Sequence, residues 1–191
     1  MTTRARTALL FSLALALFAA ACTDRASKLP DYGKVPEFTM TDSTGRTFHA
    51  STLAGKVWIA DFIYTSCPAE CPRMTAQMKK LAAQVQSMND VRLVSISVDP
   101  LHDSPPVLND FAQRYGAPTP QWTFLTGSPP TIHQIAYETF HVGDVIGKIE
   151  HSTKFILVDK KSAIRGYYSS LYQDDLAQLM RDLEALRPAR S

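Results

Sequence analysis

The segment spanning residues 56–64 constrains the fold more than any other part of this chain. It is rich in β-branched and aromatic residues, and apolar side chains occupy both of its faces. One face carries Val57, Ile59 and Ile63, and the other carries Trp58, Phe62 and Tyr64. A strand that is apolar on both faces is typical of the centre of a sheet covered on both sides. We therefore predict a layered α/β domain built around this strand.

Strand and helix patterns alternate along the chain from Val35 onward. Two short strands flank the turn sequence at 42–45 and predict an N-terminal β-hairpin. The predicted strands are 37–41, 46–50, 56–64, 91–98, 122–125, 154–159 and 163–169, and the predicted helices are 73–88, 104–115, 128–140 and 174–187. This order predicts an α/β fold with a central mixed sheet, an N-terminal β-hairpin and flanking helices.

The first 21 residues resemble an export signal. Arg4 and Arg6 precede an apolar stretch, and three alanines then lead to Cys22. A basic start, an apolar centre and small residues before the cleavage point define a secretory signal. The cysteine makes the site resemble a bacterial lipobox, although Ala19 stands where Leu is usual. We predict a lipoprotein that is anchored through Cys22 on the periplasmic face of a bacterial membrane; the alternative is an ordinary cleaved signal.

Domain organisation and charge follow from that signal. Residues 22–34 are polar and predict a flexible tether, and residues 35–191 form the predicted domain. The chain has 20 basic and 18 acidic residues, and removal of Arg4 and Arg6 leaves 18 of each. A neutral domain has no electrostatic footprint for nucleic acid, so we expect none as a partner.

Two cysteines, Cys67 and Cys71, lie four residues apart where the central strand leads into a helix. In an oxidising compartment such a pair closes into a disulfide or is kept reduced for a purpose. The start of a helix favours thiolate over thiol, and thiolates are both nucleophiles and soft-metal ligands. The spacing therefore allows redox and metal chemistry, and it decides neither.

A metal bound by two thiolates needs a further donor, for which the usual choice is a neutral imidazole. The chain has five histidines: His49, His102, His133, His141 and His151. His151 directly precedes a predicted strand, at the end of a loop near the cysteines, where a ligand can approach. From spacing alone, each of the five is more simply read as a surface histidine.

Several motifs in order resemble the Sco/SenC family. They are DFIYTSCPAECPRM at 61–74, SVDP at 97–100, DSP at 103–105, YG at 115–116, WTFLTG at 122–127 and EHS at 150–152. The resemblance covers roughly residues 35–186, and several ordered motifs are more specific than one cysteine pair. It implies a thioredoxin-like fold of the peroxiredoxin type. It also implies copper bound by Cys67, Cys71 and His151, and a role in building the copper A centre of cytochrome c oxidase.

Two neighbouring carboxylates are expected to tune such a site. Glu150 precedes His151 where the family commonly has Asp, and the acid between the cysteines is Glu70 rather than residue 69. Asp61 shares a strand face with apolar residues. Burial there would raise its pKa and allow its carboxyl to exchange protons with the thiols. The alternative for Asp61 is pairing with a basic group. Met74 and Met78 have the spacing of core residues, with a role as thioether ligands as the alternative.

The sequence therefore suggests three functions. The first is a copper chaperone that binds one Cu(I) or Cu(II) ion, takes it from an upstream periplasmic chaperone and delivers it to the oxidase copper A subunit. The second is a thiol-disulfide oxidoreductase that keeps the oxidase cysteines reduced and depends on an external thiol reductant. The third, a peroxidase, is disfavoured because no Pro-x-x-x-Thr-x-x-Cys motif precedes either cysteine. Zinc is also chemically compatible with two Cys and one His.

Overall fold

A computed structural model describes residues 29–117, 120–142 and 152–187. The predictions for the signal (residues 1–21), for lipidation at Cys22, for the ligand His151 and for its neighbouring carboxylate Glu150 lie outside the described residues.

The described residues form one mixed seven-stranded sheet with the order β2-β1-β5-β4-β3-β6-β7. The strands are β1 Thr39–Asp42, β2 Thr47–His49, β3 Val57–Ile63, β4 Val91–Ser97, β5 Trp122–Thr126, β6 Lys154–Val158 and β7 Ile164–Ser169. Strand β4 runs parallel to both β3 and β5, whereas the hairpin β1–β2 and the pair β6–β7 are antiparallel. The predicted mixed sheet and N-terminal hairpin are confirmed.

Four α-helices flank the sheet in the described part of the chain, which also has a short 3₁₀-helix, Ala50–Leu53. They are α1 Glu70–Val85, α2 Pro105–Arg114, α3 Pro129–His133 and α4 Gln173–Leu186. Helix α3 continues as a π-helical segment, Gln134–Thr139, so the helix predicted over 128–140 has nearly the predicted extent but changes its hydrogen-bonding pattern after His133. Helix α1 begins three residues before the predicted start, which places Cys71 in its first turn.

Strand β3 separates two apolar cores, as its alternating pattern predicts. Val57, Ile59 and Ile63 pack on the side of α1 and α4, while Trp58 and Phe62 pack on the side of Phe140. Every residue of β3 is buried, and each large apolar side chain removed from water contributes about 1.5–3 kcal/mol. Met74 and Met78 of α1 are fully buried in the first core, which confirms their interpretation as core residues.

Parallel pairing brings the cysteines to one end of the sheet. Strands β3 and β4 are in register from Val57↔Val91 to Ile63↔Ser97, and the N–H of Val98 donates to the carbonyl of Ile63. The segments that follow the two strands, residues 64–71 and 98–104, therefore start side by side. We call these two segments the cysteine edge.

The last residues before the hairpin lie along β7. The N–H of Tyr32 donates to the carbonyl of Ile164, and the N–H of Val35 donates to that of Ser162. The guanidinium of Arg165 donates to the carbonyl of Leu29 at 2.7 Å. The described part of the predicted tether is thus hydrogen-bonded to the sheet. None of the helices in the described ranges has the length and apolar character needed to cross a bilayer.

Candidate metal and redox site

The cysteines occupy the junction between β3 and α1. The N–H of Cys67 donates to the carbonyl of Tyr64 at 3.3 Å, which closes a turn before the helix. Pro72 lies in the first turn of α1, where its missing N–H has no helical partner to lose. Glu70 places a carboxylate at the positive end of the helix dipole. The junction is therefore a tight turn that leads directly into a helix N-terminus.

Both cysteines are free thiols and both are buried. Cys67 is 5% exposed and Cys71 is 0% exposed. The N–H of Cys71 donates to the sulfur of Cys67 at 3.3 Å, and the Cys67 thiol lies 3.9 Å from Oε2 of Glu70. The helix start thus holds the sulfur of Cys67 with a backbone donor, as expected for a thiolate site.

The two thiols differ strongly in acidity. Burial by itself raises the pKa of Cys67, but the N–H groups of Cys71 and Ala69, the Cys71 thiol and the Tyr64 phenol donate to its sulfur. Together these donors hold the pKa of Cys67 below its ordinary value. Burial raises the pKa of Cys71 far above its ordinary value, and the charge of Cys67 adds to the shift. Cys67 is therefore the more acidic thiol of the pair, and Cys71 is the less acidic one.

Tyr64 contributes to the site in a way that the sequence pattern does not reveal. Its alternation with Trp58 and Phe62 predicts a core residue, yet its phenol is only partly buried and donates to Cys67. Burial and this hydrogen bond raise the pKa of Tyr64 to about 12, so the phenol stays protonated and remains a donor. The only sequence signal for this role is a hydroxyl three residues before the first cysteine.

Asp61 lies on the face of β3 that packs against α1, and it is completely buried. Neither of its carboxylate oxygens has a hydrogen-bond partner in the described part of the chain, although Ser95 lies opposite it on the neighbouring strand β4. Burial raises the pKa of Asp61 to about 7, against the opposing effect of the Ser95 hydroxyl. The charge of Asp61 in turn raises the pKa of Cys71, so the two groups are coupled.

Asp103 connects the two segments of the cysteine edge, and sequence reasoning did not single it out. Its fully buried carboxylate accepts from the N–H of Thr65 at 3.0 Å and from the Thr65 hydroxyl at 2.5 Å. It also accepts from the Ser97 hydroxyl at 2.6 Å. Because Thr65 lies two residues before Cys67, Asp103 fixes the turn that carries the first thiol.

The structure brings Cys67 and Cys71 together, with Asp61 coupled electrostatically to Cys71, and it does not bring a described histidine to the sulfurs. Within the ranges described above, no three His, Cys, Asp or Glu side chains are grouped closely enough to hold a metal ion. His49 contacts Thr39, His133 stacks on Tyr137, and His141 contacts the carbonyl of Tyr137. His102 lies on the cysteine edge beside Asp99. Two thiols alone leave a soft-metal site that needs a further ligand.

Comparison with known proteins identifies close relatives. The profile of the SCO1/SenC family matches residues 27–187. The crystal structure of a SCO1/SenC family lipoprotein from Bacillus anthracis is 34% identical and has a TM-score of 0.74. It covers 83% of this chain and 97% of its own. A second structure, BsSco, is described as a member of the Sco family of cytochrome c oxidase assembly proteins that has a disulfide switch. It is 32% identical, covers 84% of this chain and 98% of its own, and has a TM-score of 0.71.

A more distant neighbour is ScoI from Bradyrhizobium japonicum, which was solved with copper bound. It is 24% identical with a TM-score of 0.62, and it covers 78% of this chain and 99% of its own. At this identity the likeness bears on the fold alone. The neighbours confirm the predicted thioredoxin-like fold.

Proposed function

Because the chain belongs to the SCO1/SenC family, we propose that it is a copper metallochaperone for cytochrome c oxidase. In this proposal the thiolates of Cys67 and Cys71 and the imidazole of His151 bind one copper ion. The ion then passes by ligand exchange to the copper A subunit of the oxidase.

The observation that carries the proposal is the pair of free, buried thiols at the start of α1, one of them held by the N–H of the other. Cu(I) is soft and prefers thiolates to carboxylates and water. Two sulfurs and one imidazole suit a three-coordinate Cu(I) ion, and copper binds such donors more tightly than zinc does.

Two carboxylates assist the ligands in this proposal. Glu150 directly precedes His151 and is expected to orient its ring, because the carboxylate partner of a ligating histidine fixes its tautomer. Asp61 lies on the face of β3 that packs against α1 and is electrostatically coupled to Cys71. We assign Asp61 the role of holding a proton near the thiols when they are metal-free.

The cellular setting is part of the same proposal. Residues 1–21 are removed on export, Cys22 is lipidated, and residues 22–34 link the lipid to the domain at the periplasmic face of the membrane. An upstream periplasmic chaperone supplies copper, and a thiol reductant keeps the cysteines reduced. The description of the Bacillus anthracis neighbour as a lipoprotein supports the anchor.

A copper titration tests the ligand set. Reduced full-length protein receives Cu(II), and the thiolate-to-copper charge-transfer absorption is recorded for wild type, Cys67→Ser, Cys71→Ser and His151→Ala. We expect an intense band in wild type, its loss in both serine variants, and a weakened or absent band in His151→Ala. His49→Ala, which removes an exposed imidazole on β2, is the matched control and should retain the full band. An unchanged band in His151→Ala would exclude His151 as a ligand.

A second function, thiol-disulfide exchange, is favoured by the difference in acidity between the two thiols. The thiolate of Cys67 attacks a partner disulfide, forms a mixed disulfide and releases one partner thiolate. Cys71 then loses its proton and attacks the sulfur of Cys67, which releases the second partner thiol. The pair ends as a disulfide, the partner gains two electrons, and an external dithiol restores the reduced pair.

Partner trapping separates this function from copper delivery. Cys71→Ser should accumulate a mixed disulfide through Cys67, whereas Cys67→Ser should not. If His151→Ala binds copper as wild type does while Cys67→Ser abolishes disulfide reduction, exchange replaces delivery as the function of the site.

A further inference from the structure

The burial of the two thiols raises the question of how an ion reaches them. Cys67 is 5% exposed and Cys71 is 0% exposed, so the sulfurs present almost no surface to an ion in solution. A ligand that is exposed and already oriented, and that lies on the same edge of the sheet, would provide a first point of contact. One side chain on the cysteine edge, His102, has these properties.

His102 is held by a carboxylate in the manner of a metal-binding histidine. Its Nδ1 lies 2.8 and 2.9 Å from the two carboxylate oxygens of Asp99. The side chain of His102 is 76% exposed, whereas that of Asp99 is 7% exposed. Histidine ligands commonly donate one ring nitrogen to a carboxylate, which fixes the tautomer and makes the other nitrogen a better donor. The contact with Asp99 therefore leaves Nε2, on the opposite side of the ring, as the metal-binding atom.

The segment that carries His102 is rigidly attached to the turn that carries Cys67. The N–H of Asp99 donates to the Ser97 hydroxyl at 3.0 Å, and the N–H groups of His102 and Asp103 donate to the carbonyl of Asp99. The next side chain, Asp103, accepts both the N–H and the hydroxyl of Thr65. Only Ser66 separates Thr65 from Cys67. Hydrogen bonds through Asp99, Asp103 and Thr65 thus link the backbone of His102 to the turn that carries Cys67.

We propose that His102 is a capture ligand for copper: Nε2 of its ring takes the ion at the surface, and the ion then moves to the thiolates of Cys67 and Cys71. The inference rests on the proposed copper-binding function and adds an entry step to it. The ion keeps its oxidation state during the transfer. The protons displaced from the thiols go to solvent, as expected when thiols become metal ligands.

His49 provides a matched control for this role. It is also exposed, and its Nδ1 contacts the Thr39 hydroxyl at 3.2 Å rather than a carboxylate. It lies on β2, which is separated from β3 by three other strands of the sheet. A copper effect that depends on exposed imidazole in general will appear in both histidines, whereas a capture site will appear only at His102.

Loading kinetics test the proposal directly. Reduced wild type, His102→Ala and His49→Ala are mixed with one equivalent of Cu(II) in a stopped-flow instrument, and growth of the charge-transfer band is followed. We expect His102→Ala to load several-fold more slowly than wild type and to reach the same final amplitude, and His49→Ala to match wild type in both. Equal rates in wild type and His102→Ala, or equal slowing in both histidine variants, would overturn the capture role.

A second measurement keeps this result distinct from the proposed function. In a Cys67→Ser/Cys71→Ser variant the thiolate site is absent, and substoichiometric Cu(II) should broaden the NMR signals of the His102 ring before those of His49. Equal broadening of the two rings would contradict the inference. If wild type forms no charge-transfer band, the proposed copper function fails, and this NMR comparison still decides whether His102 binds the ion.

Discussion

The two ends of the central strands use their charged groups in opposite ways. At the amino ends of β3 and β4, Asp90 accepts from the guanidinium of Arg187 at 2.9–3.2 Å, and Lys160 lies 3.6 Å away. We call this group the latch edge, because it joins the end of α4 to the sheet. At the cysteine edge, the Asp61 carboxylate is buried without a hydrogen-bond partner among the described residues, and Asp103 accepts from the neutral donors of Thr65 and Ser97.

The difference shows in the acidity of the carboxyls. At the latch edge burial opposes ionisation, but the hydrogen bond and charge of Arg187 outweigh it and lower the pKa of Asp90. At the cysteine edge burial dominates and raises the pKa of Asp61 to about 7. Paired charges stabilise the fold, whereas an unpaired buried carboxylate costs stability. The electrostatic coupling of Asp61 to Cys71 is what its proposed role of holding a proton near the thiols requires.

The largest effect is expected at Asp103. Asp103→Ala removes three hydrogen bonds from a buried carboxylate and takes the acceptor away from the N–H and hydroxyl of Thr65 and from the hydroxyl of Ser97. We expect the free energy of unfolding to fall by about 3 kcal/mol or more in urea titrations, since hydrogen bonds to charged groups contribute about 1.5–3 kcal/mol each. Asp110→Ala on the exposed face of α2 should change it by less than about 0.5 kcal/mol. A loss as small as the control's would show that the cysteine edge does not depend on this carboxylate.

The second-largest effect is expected at Asp61, whose ionisation destabilises the fold instead of stabilising it. A carboxyl whose folded pKa is raised to about 7 costs no stability in strong acid, and its cost grows as pH rises from about 4 to 7. Asp61→Asn removes this cost. The variant should therefore exceed wild type in free energy of unfolding by a larger margin at pH 8 than at pH 5, with a difference of a few kcal/mol at about 1.4 kcal/mol per pKa unit. Urea titrations of wild type and variant at the two pH values measure this difference. A pH dependence identical to that of wild type would mean that Asp61 ionises without penalty.

Asp90 at the latch edge should show the opposite pH dependence. Its folded pKa is lowered, so its contribution is present above the unfolded pKa near 4 and is lost as pH falls through the lower folded value. Asp90→Asn should cost about 1 kcal/mol at pH 7 and less at pH 3, because the pair is partly exposed. Thermal or urea unfolding at the two pH values measures it. Glu184→Gln, which alters the exposed partner of Arg187, is the control and should leave the free energy of unfolding almost unchanged. A loss of stability comparable to that of Asp90→Asn would show that the Asp90–Arg187 pair is no more stabilising than the Glu184–Arg187 pair.

The smallest effect concerns the acidity of Cys67. Tyr64→Phe removes the phenol donor and leaves the backbone donors in place, so the pKa of Cys67 should rise by less than about one unit. Iodoacetamide alkylation followed across pH, with the modified cysteine identified by mass spectrometry, measures the shift. Tyr137→Phe, an exposed phenol on the π-helical segment, is the control. An unchanged profile in Tyr64→Phe would assign the acidity of Cys67 to the helix start alone.

The parts of the fold that depend on local periodicity were predictable from the sequence. The alternation in β3 correctly divides its side chains between two cores, and the spacing of Met74 and Met78 correctly places them in one of them. The start of α1 was less predictable, because the turn before it ends in Ala69, whose side chain cannot cap a helix. The change from α- to π-helix after His133 has no periodic signal at all.

The site was predictable in its sulfur residues and less so in what surrounds them. Spacing makes Cys67 and Cys71 look equivalent, whereas in the fold the N–H groups of Cys71 and Ala69 lower the pKa of Cys67 and burial raises that of Cys71. The Asp103–Thr65 contact joins residues 38 positions apart, so it depends on strand register rather than on local sequence. The ligand role of His151 rests on the family resemblance and stays a prediction.

The backbone pairing of residues 32–35 with β7 has a consequence for solubility. An outermost strand with open amide and carbonyl groups can recruit a strand from another molecule and so seed aggregation. Here the chain covers one flank of its own sheet, and the opposite flank ends in β2, which has only three residues. A shortened chain beginning at Phe38 would lose that cover and would be more prone to self-associate, even with both sulfurs in place.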